Sequence, residues 1–136
     1  MIRFTILVFV LTLSVALAQS GETVVQAEGG TYLDLTPEAF KTRLETAGNY
    51  LLVNTHIPYE GELPGTELFL PFDQVDQLKD LLPRDKATEI LVYCRSGRMS
   101  TLSAETLVKL GYTNVKNLAG GMIAWEATGY ALETLP

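Results

Sequence analysis

The feature that most constrains the fold is a short apolar run that leads directly into a loop of small and charged residues. Glu89–Tyr93 reads Glu-Ile-Leu-Val-Tyr, and an apolar run of this length without polar alternation predicts a strand buried on both faces. Residues 103–110 predict a helix, because their apolar side chains recur at helical spacing. A buried strand followed by a short loop and a helix is the building unit of an α/β domain with a parallel sheet.

The loop between this strand and this helix begins with Cys94, the only cysteine of the protein. A thiol at the end of a strand, facing the first turn of a helix, meets free backbone N–H groups and the positive end of a helix dipole. Both favour the thiolate, which is the nucleophilic form of cysteine. Arg95 and Arg98 add positive charge beside it. We therefore expect Cys94 to be a reactive nucleophile rather than a structural cysteine.

Two stretches resemble the signatures of the rhodanese-type sulfurtransferases. Residues 94–100, Cys-Arg-Ser-Gly-Arg-Met-Ser, look like the active-site loop of that family, commonly C-R-S-G-x-R-S. Residues 117–125, Asn-Leu-Ala-Gly-Gly-Met-Ile-Ala-Trp, followed by Gly-Tyr at 129–130, look like its C-terminal pattern L-x-G-G-x-x-x-W and G-Y/F. The resemblance runs from about residue 32 to residue 132. It implies a three-layer α/β domain with a five-stranded parallel sheet in the order 1-5-4-2-3 and helices on both faces.

The same resemblance implies the transfer of a sulfane sulfur from an anionic donor such as thiosulfate to a thiol or cyanide acceptor. Cys94 would accept the sulfur as a persulfide. The attacking thiolate is already ionised and sulfite leaves readily, so the reaction needs no dedicated general base, which suits a chain with a single histidine. We expect no cofactor and no metal. The residues expected to bind the donor are Arg95, Ser96, Gly97, Arg98, Met99 and Ser100.

The predicted second strand, Tyr50–Asn54, should bring two further residues near the cysteine. In the implied strand order it lies beside Glu89–Tyr93, so Asn54 and His56 would leave the sheet close to Cys94, in the crevice beyond the carboxyl ends of the strands. The family pattern here is D-V-R. Asn54 keeps the shape of the Asp without its charge, and His56 either tunes Cys94 or simply fills the place of the Arg.

Three departures from the family pattern keep a second hypothesis open. Met99 stands where the loop usually has its second Arg, Asn54 replaces an Asp, and the connection at residues 57–65 is shorter than usual. The protein could instead be a persulfide carrier or accessory sulfur-binding module of the exported compartment, without efficient turnover. A cysteine phosphatase is disfavoured, because that class needs an Arg six residues after the cysteine and this chain has Ser100 there. A thiol-disulfide oxidoreductase would need a C-x-x-C pair.

The first eighteen residues have the pattern of an export signal. Arg3 supplies a positive start, residues 4–17 are almost wholly apolar and carry no charge, and residues 16–18 read Ala-Leu-Ala, an A-x-A cleavage site. The apolar run is shorter than the ~20 residues that a spanning helix needs, although an uncleaved anchor is the alternative. We expect residues 1–18 to be a signal peptide cleaved near Ala18-Gln19, and the mature protein to be periplasmic or secreted, without stable membrane insertion.

The remaining chain predicts a single domain at residues 31–136, preceded by a flexible leader at residues 19–30, which are polar and end in Gly-Gly. The predicted strands are residues 31–35, Tyr50–Asn54, 67–70, Glu89–Tyr93 and 114–118. Further helices are predicted after an N-cap at Thr36, between Asp73 and Pro83, and at residues 122–128.

Composition limits the partners. The chain has 136 residues, which suit one domain, and 47% of them are hydrophobic, enough for a core. Its formal net charge of −6 argues against nucleic acid or an anionic membrane surface as a partner. A single cysteine excludes an internal disulfide, and a single histidine argues against a zinc site. We expect a monomer that acts on small molecules.

Overall fold

The sheet of the computed structural model is six-stranded and mixed, with the strand order β1-β2-β6-β5-β3-β4. The structure describes residues 21–135, so the predicted signal peptide and its cleavage site lie outside the described residues. The strands are β1 (Glu22–Ala27), β2 (Gly30–Leu35), β3 (Tyr50–Asn54), β4 (Leu68–Phe69), β5 (Glu89–Tyr93) and β6 (Val115–Leu118). The helices are α1 (Pro37–Glu45), α2 (Arg98–Lys109) and α3 (Gly121–Ala127).

The central strand is β5, and every one of its residues is buried. The uninterrupted apolar run at residues 90–93 predicts this burial, whereas Glu89 is a buried charge. It pairs in parallel with β3 on one side, where Asn54 lies opposite Tyr93, and with β6 on the other, where Val92 lies opposite Asn117. The five predicted strands all form, and they keep the predicted order among themselves. The predicted α/β class is confirmed.

The edge of the sheet corrects two expectations. Residues 22–27, expected to belong to a flexible leader, form β1, which pairs antiparallel with β2 from Glu22 opposite Leu35 to Ala27 opposite Gly30. The sheet is therefore mixed rather than all parallel. The Glu28-Gly29 pair makes the tight turn of a hairpin, and tight turns of this kind favour glycine. The polar composition that suggested a leader is that of an edge strand, most of whose side chains are exposed.

Two apolar clusters sandwich the sheet. Helix α2 packs on one face, where the cluster consists of Tyr32, Val53, Leu70, Val75, Leu82, Ile90, Val92, Ala104, Leu107, Val108, Tyr112 and Val115. Helices α1 and α3 pack on the other, where it consists of Leu35, Phe40, Leu52, Leu63, Leu91, Tyr93, Leu118, Met122 and Trp125. Helices on both faces confirm the predicted layers. No helix within residues 21–135 has the length and apolar character needed to cross a membrane.

The helix predicted between Asp73 and Pro83 is wrong. This segment is a series of turns with a single 3-10 turn at Lys79–Leu81. Val75 and Leu82 are nonetheless buried. Apolar residues three apart share a face in consecutive 3-10 turns as well as in an α-helix, so the spacing alone does not separate the two.

A cluster of three charges closes the amino-terminal end of β5. Glu89 is 7% exposed, and its carboxylate accepts a hydrogen bond from Arg43 Nε at 2.7 Å and another from Lys116 Nζ. Burial alone would raise the pKa of Glu89, but the hydrogen bonds from Arg43 and Lys116 outweigh it, and the pKa lies below its ordinary value. The cluster ties α1 and β6 to the central strand.

Replacement of this carboxylate should destabilise the protein. Glu89→Gln leaves two cations facing a neutral amide, so we expect a loss of about 2 kcal/mol in the free energy of unfolding at pH 7. Because the pKa of Glu89 is lowered by folding, its stabilisation is present above the ordinary carboxyl pKa and disappears as the pH falls through the lowered value. The difference between wild type and variant, measured by urea denaturation, should therefore shrink in acid.

The matched control is Glu45→Gln, which removes an exposed carboxylate paired with Lys41. Exposed pairs of this type contribute at most about 0.5 kcal/mol. Equal losses in the two variants would show that the Glu89 cluster does not stabilise the fold.

Candidate active site

The loop after β5 is shorter than the sequence predicts. Helix α2 begins at Arg98 rather than at residue 103, so only residues 95–97 separate Cys94 from the helix. Gly97 turns the chain with a φ of 100°, in the left-handed region. Two hydroxyls of the early helix bond back to carbonyls one turn earlier, Thr101 Oγ1 to Gly97 and Ser103 Oγ to Met99. The polar first turns lacked the apolar periodicity on which the prediction depended.

Two donors converge on the sulfur of Cys94. The backbone N–H of Gly97 lies 3.0 Å from Sγ, and the hydroxyl of Ser100 lies 3.3 Å from it. Ser100 is fully buried, and Cys94 is 1% exposed. The first turn of α2 carries no acidic residue, so nothing there opposes the positive end of the helix dipole. This arrangement is suited to hold a negatively charged sulfur.

The proton of Ser100 has two possible acceptors. Its Oγ lies 3.3 Å from Cys94 Sγ and 3.2 Å from the carbonyl oxygen of Gly97. A hydroxyl has one proton and donates one full hydrogen bond at a time. Ionisation of the sulfur favours donation to Sγ, because hydrogen bonds to charged acceptors are the stronger ones.

The start of α3 supports the cysteine loop from behind. Met122 N donates to the carbonyl of Cys94 at 2.8 Å, and Ile123 N donates to that of Arg95 at 3.0 Å. A Cβ at Gly121 would lie 2.5 Å from both carbonyl oxygens, so only glycine permits this approach. The sequence signal for this contact is the Gly-Gly pair at the start of the helix, in which Gly120 is the N-cap and Gly121 the first helical residue.

Asn54 and His56 lie beside the site but do not hydrogen-bond to its sulfur. The fully buried amide of Asn54 donates to the carbonyl of Gly61 at 3.1 Å and accepts from the N–H of His56 at 3.0 Å. It therefore holds both ends of the short loop that leaves β3. His56 is 8% exposed, and its Nε2 lies 2.9 Å from Oε2 of Glu60.

Glu60 is absent from the residues predicted from the sequence. Its Oε2 also accepts a hydrogen bond from Arg95 Nη1 at 2.7 Å, so one carboxylate oxygen joins Arg95 to His56. The hydrogen bond from Arg95, and after it that from His56, holds the pKa of Glu60 below its ordinary value. The available sequence signal was an acid inside the shortened connection, which has to pass close to the site.

Tyr93 fixes the rim of the site. Its phenol oxygen accepts from the backbone N–H of Leu63 at 3.1 Å and lies 2.7 Å from Thr66 Oγ1. Burial raises the pKa of Tyr93 to about 12, so the group is neutral at any ordinary pH. Tyr93, the residue before the cysteine, therefore holds the segment that contains Leu63 and Thr66 in place.

Comparison with known proteins assigns the family. Residues 33–128 match the model of the rhodanese-like domain. The chain belongs to the rhodanese-like family. A protein of Allochromatium vinosum named sulfurtransferase is 33% identical over 99 residues, which are 71% of this chain and 90% of that protein. Thiosulfate sulfurtransferase 18 of Arabidopsis thaliana is 28% identical over 138 residues, which cover 87% of this chain and 94% of that protein.

The fold of this rhodanese-like chain has close counterparts among solved structures. The rhodanese-like domain of the Alr3790 protein from Anabaena sp. aligns with a TM-score of 0.65 at 23% identity, covering 75% of this chain and 79% of that one. The resemblance expected from the cysteine loop and the Gly-Gly motif is thus confirmed in family and in fold.

The predicted donor-binding residues of the rhodanese-like loop fall into separate groups. Gly97 and Ser100 reach the sulfur, and Arg95 lies against Glu60. Ser96 and Arg98 are exposed and line an open groove of about 430 Å³ that Asp34 of β2, Asn117 of β6 and the start of α2 also line, and Met99 is half-buried. Their role in donor binding stays a prediction.

Addition of a methyl group at Gly121 should disturb the loop. In Gly121→Ala the Cβ would collide with the carbonyls of Cys94 and Arg95 and force them apart from α3. We expect the variant to lose about 2 kcal/mol of stability beyond the effect of positive φ, and its Cys94 to react more slowly with iodoacetamide at pH 7. Urea denaturation and alkylation kinetics measure the two effects.

Gly111→Ala is the matched control, since Gly111 also has a positive φ of 97° but a Cβ there meets nothing within 4 Å. This variant should show the cost of positive φ alone and leave alkylation unchanged. If both variants alkylate at the wild-type rate, the contact with α3 does not organise the cysteine loop.

Proposed function

We propose that this rhodanese-like protein is a sulfurtransferase that moves a sulfane sulfur from thiosulfate or a related donor to a thiophilic acceptor through a persulfide on Cys94. The observation that carries the proposal is the convergence of the Gly97 N–H and the Ser100 hydroxyl on the sulfur of the only cysteine. The names of the relatives from Allochromatium and Arabidopsis support sulfur transfer in general.

The reaction needs two displacements at sulfur. The Cys94 thiolate attacks the outer sulfur of thiosulfate, the bond between the two donor sulfurs breaks, and sulfite leaves with the electron pair. A thiolate or cyanide acceptor then attacks the terminal sulfur of the persulfide and releases the Cys94 thiolate. Gly97 and Ser100 stabilise the anionic sulfur before and after transfer. Neither displacement requires a proton, a metal or a cofactor.

The second candidate is a persulfide carrier that accepts sulfur but turns over slowly with small molecules. Two observations favour it. Cys94 is 1% exposed, and Arg95, the expected donor-binding cation, is already paired with Glu60. Steady-state cyanolysis separates the candidates, because an enzyme releases thiocyanate through many turnovers whereas a carrier with slow turnover does so about once per site.

Cys94 should be the only sulfur-accepting group. Incubation with thiosulfate should add the mass of one sulfur atom to the wild-type protein, as read by intact mass spectrometry. Cys94→Ser should gain none, because it has no thiol. Wild type treated with iodoacetamide beforehand is the control that keeps the cysteine but blocks it. Sulfur loading in Cys94→Ser would contradict the proposed function.

We further propose that the protein is exported and acts in the periplasm or outside the cell, as a monomer on small molecules. The support is the charged start, the apolar run and the Ala-Leu-Ala site within residues 1–18. Amino-terminal sequencing of protein from the exported fraction of its host should begin at or near Gln19. Full-length protein in the membrane fraction would favour an uncleaved anchor instead.

A further inference from the structure

A carboxylate faces the cation that stands next to the reactive cysteine. Glu60 Oε2 lies 2.7 Å from Arg95 Nη1 and 2.9 Å from His56 Nε2. The side chain of Glu60 is 36% exposed and that of Arg95 is 54% exposed, so solvent and small anions reach the pair. Within residues 21–135, Arg98 has no carboxylate within salt-bridge distance, which leaves it as the other cation of the cysteine loop.

The loop around Glu60 is anchored on both sides. Before it, His56 is held through its backbone N–H by Asn54, and after it Asn54 holds the carbonyl of Gly61. The backbones of Glu62 and Glu133 then exchange two hydrogen bonds, at 2.8 and 2.7 Å. A carboxylate between two such anchors is positioned by the fold.

This carboxylate changes the charge that an approaching donor meets. Arg95 and Glu60 together are neutral, so the attraction of Arg95 for an anion is largely cancelled. The interaction of the pair with a donor scales with the donor's charge, so a dianion loses about twice as much attraction as a monoanion, and a donor without net charge loses none. The pairing therefore penalises donors in proportion to their negative charge.

We propose that Glu60 is a specificity-determining residue that biases the site toward small persulfide donors of low net charge and against dianionic thiosulfate. The proposal rests on the proposed sulfur transfer through Cys94. With a persulfide R–S–SH, the Cys94 thiolate attacks the outer sulfur, the S–S bond of the donor breaks, and R–S⁻ leaves with the electron pair. The proton stays on the transferred sulfur, so atoms and charge balance.

The test compares two donors in Glu60→Gln. Thiosulfate is the dianion, and the persulfide of 2-mercaptoethanol, which carries no charge in the R–S–SH form that reacts, is the probe without net charge. We expect the second-order rate of Cys94 sulfur loading from thiosulfate to rise roughly fivefold, and the rate from the persulfide to change less than about twofold. The thiosulfate effect should fade in high salt, as screening predicts.

The matched control is Glu62→Gln, which removes the same charge from the same loop. Glu62 forms no salt bridge among residues 21–135, and its backbone hydrogen bonds survive the substitution. The control should leave the ratio of the two rates near that of wild type. When Glu60→Gln is added to Arg95→Ala, the ratio of the thiosulfate rate to the persulfide rate should change by a different factor than when Glu60→Gln is added to wild type. The reason is that the two side chains act as a pair.

An alkylation assay measures how the charge of Glu60 affects anions that approach Cys94, without any sulfur transfer. Cys94 is the only thiol, so the ratio of its rates with anionic iodoacetate and neutral iodoacetamide reports the repulsion of anions at this one site. Glu60→Gln should raise the ratio, and Glu62→Gln should not. Unchanged ratios with both pairs of reagents, or slower thiosulfate loading in Glu60→Gln, would overturn the proposal.

The two proposals fail in different ways. If wild type and Glu60→Gln accept sulfur from neither donor, the proposed function fails, and a donor preference set by Glu60 fails with it. If wild type loads sulfur but Glu60→Gln shows the wild-type donor ratio, sulfur transfer stands and the role of Glu60 is wrong.

Discussion

The site depends on the close backbone contact between the cysteine loop and the start of α3. Two hydrogen bonds from α3 engage the carbonyls of Cys94 and Arg95, and the absence of a side chain at Gly121 permits their approach. With those carbonyls committed to α3, the turn at Gly97 can present its N–H to the sulfur. The geometry around the only cysteine thus depends on a glycine far along the chain.

Charge is used differently at the two ends of the sheet. At the amino-terminal end of β5, a buried carboxylate at Glu89 is matched by two cations and joins three elements. At the carboxyl end, where ligands bind in open α/β sheets, Arg95 and Glu60 are exposed. A charged ligand can therefore compete with either side chain for its partner. The first arrangement contributes stability, whereas the second adjusts which anions approach the cysteine. Their difference in exposure explains the difference in role.

Much of the fold was predictable because its strongest signals are local. The uninterrupted apolar run of β5, the Thr36-Pro37 start of α1 and the glycine-rich loops all specify their own backbone conformation. The errors came where a local signal is ambiguous. Polar residues suit a leader as well as the edge strand β1, and apolar residues three apart suit an α-helix as well as the turns near Val75.

The sequence by itself determined the family, because the motifs that identify it lie within short segments, and the resemblance to that family implied the order of the parallel strands. The sequence also marked Cys94 as the candidate nucleophile. Only the tertiary structure decided what surrounds the cysteine. Asn54 proved to brace a loop, and Glu60, which no motif marks, lies against Arg95 across 35 residues of sequence. Contacts between residues this far apart in the sequence depend on where a loop of given length lies on the folded sheet. Local patterns of hydrophobicity do not encode that position, since it results from the packing of the whole domain.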